Sequence, residues 1–496
     1  MTRPLLIASL VLMATPIWSQ DQRKITARIQ GAENDTIFLA NYYGNKLFYA
    51  DTATANAKGA VTFARPKGYK AGVYAIVVPG PKYFEFILNE PEVELHTALE
   101  DLMGRMVVDR SEENKRFFAY IKFLNRKKAV GDSLRTLLDS TDLEPRKVAL
   151  RADLEELDNE VKGYQNDLIS NAPDLFVSEI VRMSLPADLP QVRTADGKVD
   201  SVASYYQYRA HFWDNVDLKD ERILGTPVFQ NKFDEYIGKV VPQIPDTINT
   251  LADDIIQRLS GNRELFKFAV NNISYKYETS DIMGMDAVFV HMAQTYYCPK
   301  PGEKSRAFWM AQDKLDKLCE RADKLAPLVI GAPATELILT DSTEENWISM
   351  NKLPNDYIVL VFWDPHCGHC KKEIPALYKN YAEKMRGMGI EVYAVAKATD
   401  SLLFRDWKKF IVENALDWVN VGLTWHVYTE AKKQASKFIP RYTTLASLNY
   451  SETYDVYATP KLFLIGPERT IVGKQLTPEQ IEDLVTRLRE RDKLRQ

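Results

Sequence analysis

The tightest constraint on the fold is a run of apolar residues that ends beside two cysteines. Tyr357 to Trp363 is almost continuously apolar, and Cys367-Gly368-His369-Cys370 follows it. A run of that kind suits a strand covered on both faces, the usual state of a parallel sheet with helices packed against it. From Pro365 to about Arg386 the pattern is helical. Two cysteines with two residues between them, at a turn from strand to helix, do redox chemistry or hold a metal.

The chemistry follows from the position. At a helix start the Cys367 sulfur meets free N–H groups and the positive end of the helix dipole, and both favour thiolate over thiol. Cys367 is therefore the expected nucleophile. Cys370, one turn on, can attack a mixed disulfide formed on Cys367 and release the bound partner. Gly368 leaves room for a substrate chain. His369, between the cysteines, can stabilise the thiolate, and His366 adds a second imidazole; the bland alternative for each is an exposed polar residue. A closed zinc site needs four ligands around one ion, and four adjacent residues on one turn do not surround it. Haem attachment needs histidine after the second cysteine, where Lys371 stands. No metal and no cofactor beyond a redox-active Cys367–Cys370 disulfide is expected.

The rest of the chain divides by period. Residues 21–110 alternate like short strands, with Ile25, Ala27 and Ile29 as the first example, and predict a small antiparallel sandwich or barrel. Residues 111–325 turn helical; Val148, Leu150, Leu154, Leu157, Val161 and Tyr164 form an apolar stripe at three- and four-residue steps. Residues 326–496 alternate strands with helices and close with a hairpin, Leu462–Ile465 and Ile471–Gly473, before an amphipathic helix from Pro478. The expected class is multidomain: a C-terminal α/β domain behind an all-β domain and a mainly helical one.

Residues 1–19 carry Arg3, an apolar run from Leu5 to Ala14 and a break from Pro16 to Ser19, the order of a secretory signal peptide. An uncleaved anchor is the alternative. The expected location is exported, in the periplasm or cell envelope. Net charge is −4 with the basic residues scattered, so no nucleic-acid partner is expected. Four cysteines in 496 residues are too few for a disulfide scaffold. Cys298 and Cys319 are either a structural bridge or two buried thiols.

Phe362-Trp363-Asp364-Pro365-His366-Cys367-Gly368-His369-Cys370-Lys371-Lys372-Glu373-Ile374-Pro375 resembles the active-site segment of the thioredoxin superfamily, most closely its TlpA/ResA group of envelope oxidoreductases. Ile330-Gly331-Ala332-Pro333-Ala334 and Ala458-Thr459-Pro460-Lys461 match the same pattern. The resemblance implies a thioredoxin-like fold for residues 326–496. It implies a cis Thr459–Pro460 peptide facing the cysteines, with Trp363, Thr459 and Pro460 at the substrate. It also implies a role for Glu373 in taking the Cys370 proton, the alternative being an ordinary helix glutamate paired with lysine. Two departures matter. The buried aspartate of thioredoxins falls on Val361, and the peroxiredoxin threonine falls on Asp364, which argues against a peroxidase.

The leading expectation is a thiol–disulfide oxidoreductase that reduces or exchanges disulfides in exported proteins and is recharged by a membrane or envelope thiol donor. A disulfide isomerase or oxidase of the same fold is one alternative. A partner-binding or homodimer-forming envelope protein with a subordinate redox site is the other.

Overall fold

The computed structural model describes residues 23–80, 82–187 and 189–495. The segment read as a signal peptide lies outside the described residues. The chain forms two compact units. One runs to Val241 and includes Arg258–Leu265; the other contains Pro242–Gln257 and everything from Phe266 onward. The helical stretch expected over 111–325 is thus divided between both units rather than standing as one body.

The first unit holds β1 (Lys24–Gln30), β2 (Thr36–Tyr43), β3 (Lys46–Thr54), β4 (Ala60–Phe63), β5 (Gly72–Val78), β6 (Lys82–Leu88), β7 (Glu92–Ala98) and β8 (Val107–Arg110). They make two four-stranded sheets, β4-β1-β7-β8 and β3-β2-β5-β6. Ile25, Ala27 and Leu95 of one sheet and Ile37, Leu39, Ile76 and Phe86 of the other share one core, so the expected sandwich is present. One pairing differs from the all-antiparallel expectation. β1 and β7 run parallel, with Ile25 opposite Val93. Alternation fixes which face of a strand is buried but not the direction of its neighbour.

Helices α1 (Glu112–Ser140) and α2 (Glu144–Asn171) follow, then α3 (Phe176–Ser184), α4 (Ser201–His211) and α5 (Pro227–Glu235). Ser111 caps α1, accepting the Asn114 N–H at 3.0 Å. The buried Glu113 carboxylate accepts the N–H groups of Phe176 and Val177 at 2.7 and 2.9 Å, which satisfies free donors at the start of α3.

Helices α6 (Pro245–Leu259) and α7 (Arg263–Glu278) each contribute to both units, and α8 (Asp286–Met292) and α9 (Gln312–Leu325) belong to the second. Cys298 and Cys319 are disulfide-bonded, with their Cα atoms 5.5 Å apart. The bridge ties the loop after α8 to α9, beside Phe289, Ala293 and Ala322.

The second unit is built on a seven-stranded sheet. It comprises β9 (Ile338–Thr340), β10 (Trp347–Ser349), β11 (Tyr357–Trp363), β12 (Ile390–Ala398), β13 (Val419–Thr424), β14 (Lys461–Ile465) and β15 (Ile471–Lys474), in the order β10-β9-β13-β12-β11-β14-β15. β11, β12 and β13 are parallel, and the β14–β15 hairpin adds antiparallel strands at one edge. Every residue of β11 is buried, as its apolar run requires. On one face α10 (Cys370–Asn380), α11 (Ser401–Glu413) and α15 (Pro478–Arg495) contribute Ile374, Trp407 and Ile481 to the core. On the other, α12 (Trp425–Gln434), α13 (Leu445–Leu448) and α14 (Tyr450–Thr453) supply Val427, Leu448 and Tyr450. Trp407 and Trp418 are core residues, whereas Trp425 is partly exposed. At Gly422 an added Cβ would lie 2.9 Å from the Ala396 carbonyl oxygen and 3.4 Å from the Trp407 ring, so glycine lets α11 seat closely on the sheet.

Candidate active site

The site begins where β11 ends. The helix expected from Pro365 starts at Cys370, and a turn fills the gap. Asp364 makes that turn. Its carboxylate accepts the His366 N–H at 2.7 Å, and its carbonyl accepts the Cys367 N–H at 3.0 Å. A side chain that bonds its own backbone in this way competes with helix and holds the chain in a turn. Cys367 therefore sits just ahead of α10, half-exposed, with Cys370 buried one turn inside it.

The two sulfurs meet opposite environments. The Cys370 N–H points at the Cys367 sulfur and, with help from the His369 N–H, holds that thiol below its ordinary value. Burial pushes the Cys370 thiol up to about 11. Ile374 and Leu377 share its core, and the Asp364 N–H reaches its sulfur at 3.5 Å. Both cysteines are thiols.

Across from them lies a segment distant in sequence. The Thr459–Pro460 peptide is cis, and the Thr459 carbonyl accepts from the Cys367 thiol at 3.3 Å. The other expected site residues divide. Gly368 is exposed, and no atom lies within 4 Å of where a Cβ would stand, so the space above it is open. His369 is exposed. His366 is exposed too, and its Nε2 lies 2.7 Å from the Asp406 carboxylate on α11. Trp363 is only 1% exposed and packs on Phe410, so it belongs mainly to the core beneath the site. Glu373 is exposed on α10, and among the described residues no hydrogen bond joins it to either cysteine. The geometry does not supply the contact expected of a proton acceptor there.

Two charged residues of the site escaped sequence reading. Lys397, near the end of β12, pairs with Asp364 at 3.3 Å, and the Asp364 side chain is 16% exposed. Asp364 stood out in the sequence only as a departure from the peroxiredoxin pattern. Register is the signal that links the two. Trp363 lies opposite Ala396, so the next residue of each strand falls side by side. A cavity of about 660 Å³ opens here, lined in part by Trp363, Asp364, Lys397, Tyr450, Tyr457 and Thr459. Much of its wall comes from α12 to α14.

The AhpC/TSA family matches residues 330–474, and a domain of unknown function, DUF5106, matches residues 177–317. The thiol-disulfide oxidoreductase ResA of Bacillus subtilis is 24% identical over 155 residues, 31% of this chain and 71% of that protein. Two solved structures are similar in part. A domain of a possible thiol-disulfide isomerase from Cytophaga hutchinsonii is 29% identical, covering 34% of this chain and 99% of that one, with a TM-score of 0.27. A thioredoxin-like protein from Bacteroides caccae is 18% identical, covering 61% and 98%, with a TM-score of 0.42.

Proposed function

From a C-terminal thioredoxin-like domain of the AhpC/TSA family, with thiol–disulfide oxidoreductases among its homologues, we propose an exported oxidoreductase that reduces or exchanges disulfides in envelope proteins through Cys367 and Cys370. The Cys367 thiolate attacks a substrate disulfide, forms a mixed disulfide and expels one substrate thiolate. Cys370 then attacks the Cys367 sulfur and releases the second. Two electrons pass to the substrate, and the Cys367–Cys370 disulfide returns to the dithiol at the expense of a membrane or envelope thiol donor. No other cofactor takes part.

The observation that carries this reading is the asymmetry of the two thiols. Cys367 is accessible and favoured as thiolate, whereas Cys370 is buried and held protonated. A nucleophile must ionise readily, and a resolving thiol must stay inert until a mixed disulfide forms beside it. Thr459 supports the same reading: a backbone carbonyl beside Cys367 offers an extended substrate a pairing partner. Among the described residues no helix is long and apolar enough to cross a membrane. Export rests on the N-terminal sequence, and N-terminal sequencing of the protein from fractionated cells tests it.

The direction of exchange is tested by equilibrating the pair with glutathione. A potential below about −230 mV is expected for a reductase, and one near −180 mV or higher assigns isomerisation or oxidation instead. If no reversible disulfide forms between Cys367 and Cys370, the reading fails.

A further inference from the structure

Resolution poses a problem that the nucleophilic step does not. Cys370 is fully buried among apolar side chains, yet it must lose a proton to attack. The position of the buried acid of thioredoxins is Val361, which has no proton chemistry, and Glu373 stands exposed without a bond to either cysteine. Asp364 is different in three respects. Its N–H reaches the Cys370 sulfur at 3.5 Å, its carboxylate is largely buried, and that carboxylate is held at 3.3 Å by Lys397. It also lines the cavity beside Thr459, which gives a proton a route to solvent.

We propose that Asp364, held in place by Lys397, takes the proton from the Cys370 thiol as that thiol resolves the mixed disulfide. The inference rests on the oxidoreductase reading above and names the proton acceptor of its second step. The Cys370 S–H proton passes to the Asp364 carboxylate through a bridging water. The Cys370 sulfur bonds to the Cys367 sulfur as the Cys367–substrate bond breaks, and the departing substrate sulfur takes the electron pair. Asp364 then returns its proton through the cavity. Lys397 is a positioning residue. The other charged or titratable groups facing Asp364 are Tyr450 on α14 and, around the same cavity, Tyr428 and Lys432 on α12, Glu452 on α14 and Tyr457; the His366 N–H also donates to its carboxylate.

The test follows the full-length reduced protein reacting with dithiobis-nitrobenzoate, an aromatic disulfide. One coloured thiolate is released when Cys367 attacks and a second when Cys370 resolves. Asp364→Asn should leave the first release within about twofold and slow the second about 100-fold, the low end of what a positioned general base contributes. Asp364→Glu should restore most of the second rate. The second rate should depend more steeply on pH in Asp364→Asn than in wild type, because hydroxide replaces the lost base. An unchanged second release in Asp364→Asn overturns the proposal. So does equal slowing of both releases, which marks a distorted site, or slowing by Glu373→Gln in place of Asp364→Asn. A wild-type protein that releases only one thiolate defeats the oxidoreductase reading itself, and the proposal with it.

Discussion

The two cysteine pairs of this chain lie in the same compact unit and do opposite things. Cys298 and Cys319 are bonded and join a loop to a helix across 21 residues of sequence. Cys367 and Cys370 are free thiols at a turn, one half-exposed and one buried. Cysteine content explains neither state. At the first pair, packing beside Phe289, Ala293 and Ala322 brings two half-buried sulfurs together. At the second, the backbone aims N–H groups at one sulfur, and the core keeps water from the other. The bonded pair is a brace, whereas the unequal surroundings of the free pair suit the exchange proposed for it.

The largest test of this contrast removes a sulfur from each pair. Cys367→Ser should lower disulfide reductase activity by at least about a thousandfold, because no other thiol here is both accessible and favoured as thiolate. Insulin reduction by full-length protein measures it, and residual activity above a tenth of wild type would end the assignment of Cys367. Cys370→Ser should instead accumulate a mixed disulfide with substrate, visible as an added mass on the intact protein.

Opening the brace should act on stability and not on chemistry. Cys298→Ser with Cys319→Ser should destabilise its unit by about 3 kcal/mol in the chain-entropy account of a loop this long. Denaturant titration reads the loss, and insulin reduction should stay within about twofold of wild type. A large fall in turnover without a fall in stability would mean that the brace shapes the active site after all.

The pH profile sharpens the contrast inside the redox pair. Alkylation of Cys367 by iodoacetamide should rise with pH and level off below the ordinary thiol value of 9.0, whereas Cys370 should stay unreactive until the pH nears about 11. The sign for stability follows. Cys367, lowered on folding, contributes stability above 9.0 that is lost as pH falls through its folded value. Cys370, raised on folding, contributes stability below 9.0 that is lost as pH rises towards about 11. Peptide mapping of alkylated protein across pH separates the two sites, and equal reactivity at neutral pH would remove the asymmetry on which the function rests.

The smallest expected effect concerns His366. Its bond to Asp406 is exposed, and exposed ion pairs are worth little. Asp406→Asn should therefore change the Cys367 alkylation rate at neutral pH by less than about threefold. A tenfold drop would make His366 a principal source of thiolate stability, ahead of the backbone N–H groups.

What could be read from sequence was whatever depends on neighbours along the chain. The burial of Tyr357–Trp363, the turn into a helix and the choice of Cys367 and Cys370 as the candidate pair all follow from local period and spacing. The cis peptide at Thr459–Pro460 came from resemblance, since nothing in the composition of Ala458 to Lys461 requires it. Periodicity starts α10 at Pro365, ahead of Cys370, because it does not register the Asp364 carboxylate accepting the His366 N–H. The motif position points to Glu373 as acceptor, but on the folded helix Glu373 is exposed and has no bond to either cysteine, whereas the Asp364 N–H reaches the Cys370 sulfur.

The chain by itself determined that a reactive pair sits at the end of a buried strand, because strand, turn and helix are set by residues within a few positions of each other. Tertiary structure alone decided what surrounds that pair. Thr459 comes to Cys367 from 92 residues away, and Lys397 reaches Asp364 only through the parallel register of β11 and β12. It also decided that Cys298 meets Cys319, and that β1 lies parallel to β7. The physical reason is common to all four. Each is a pairing between distant segments, chosen by how whole faces pack, and no local pattern encodes which face will meet which.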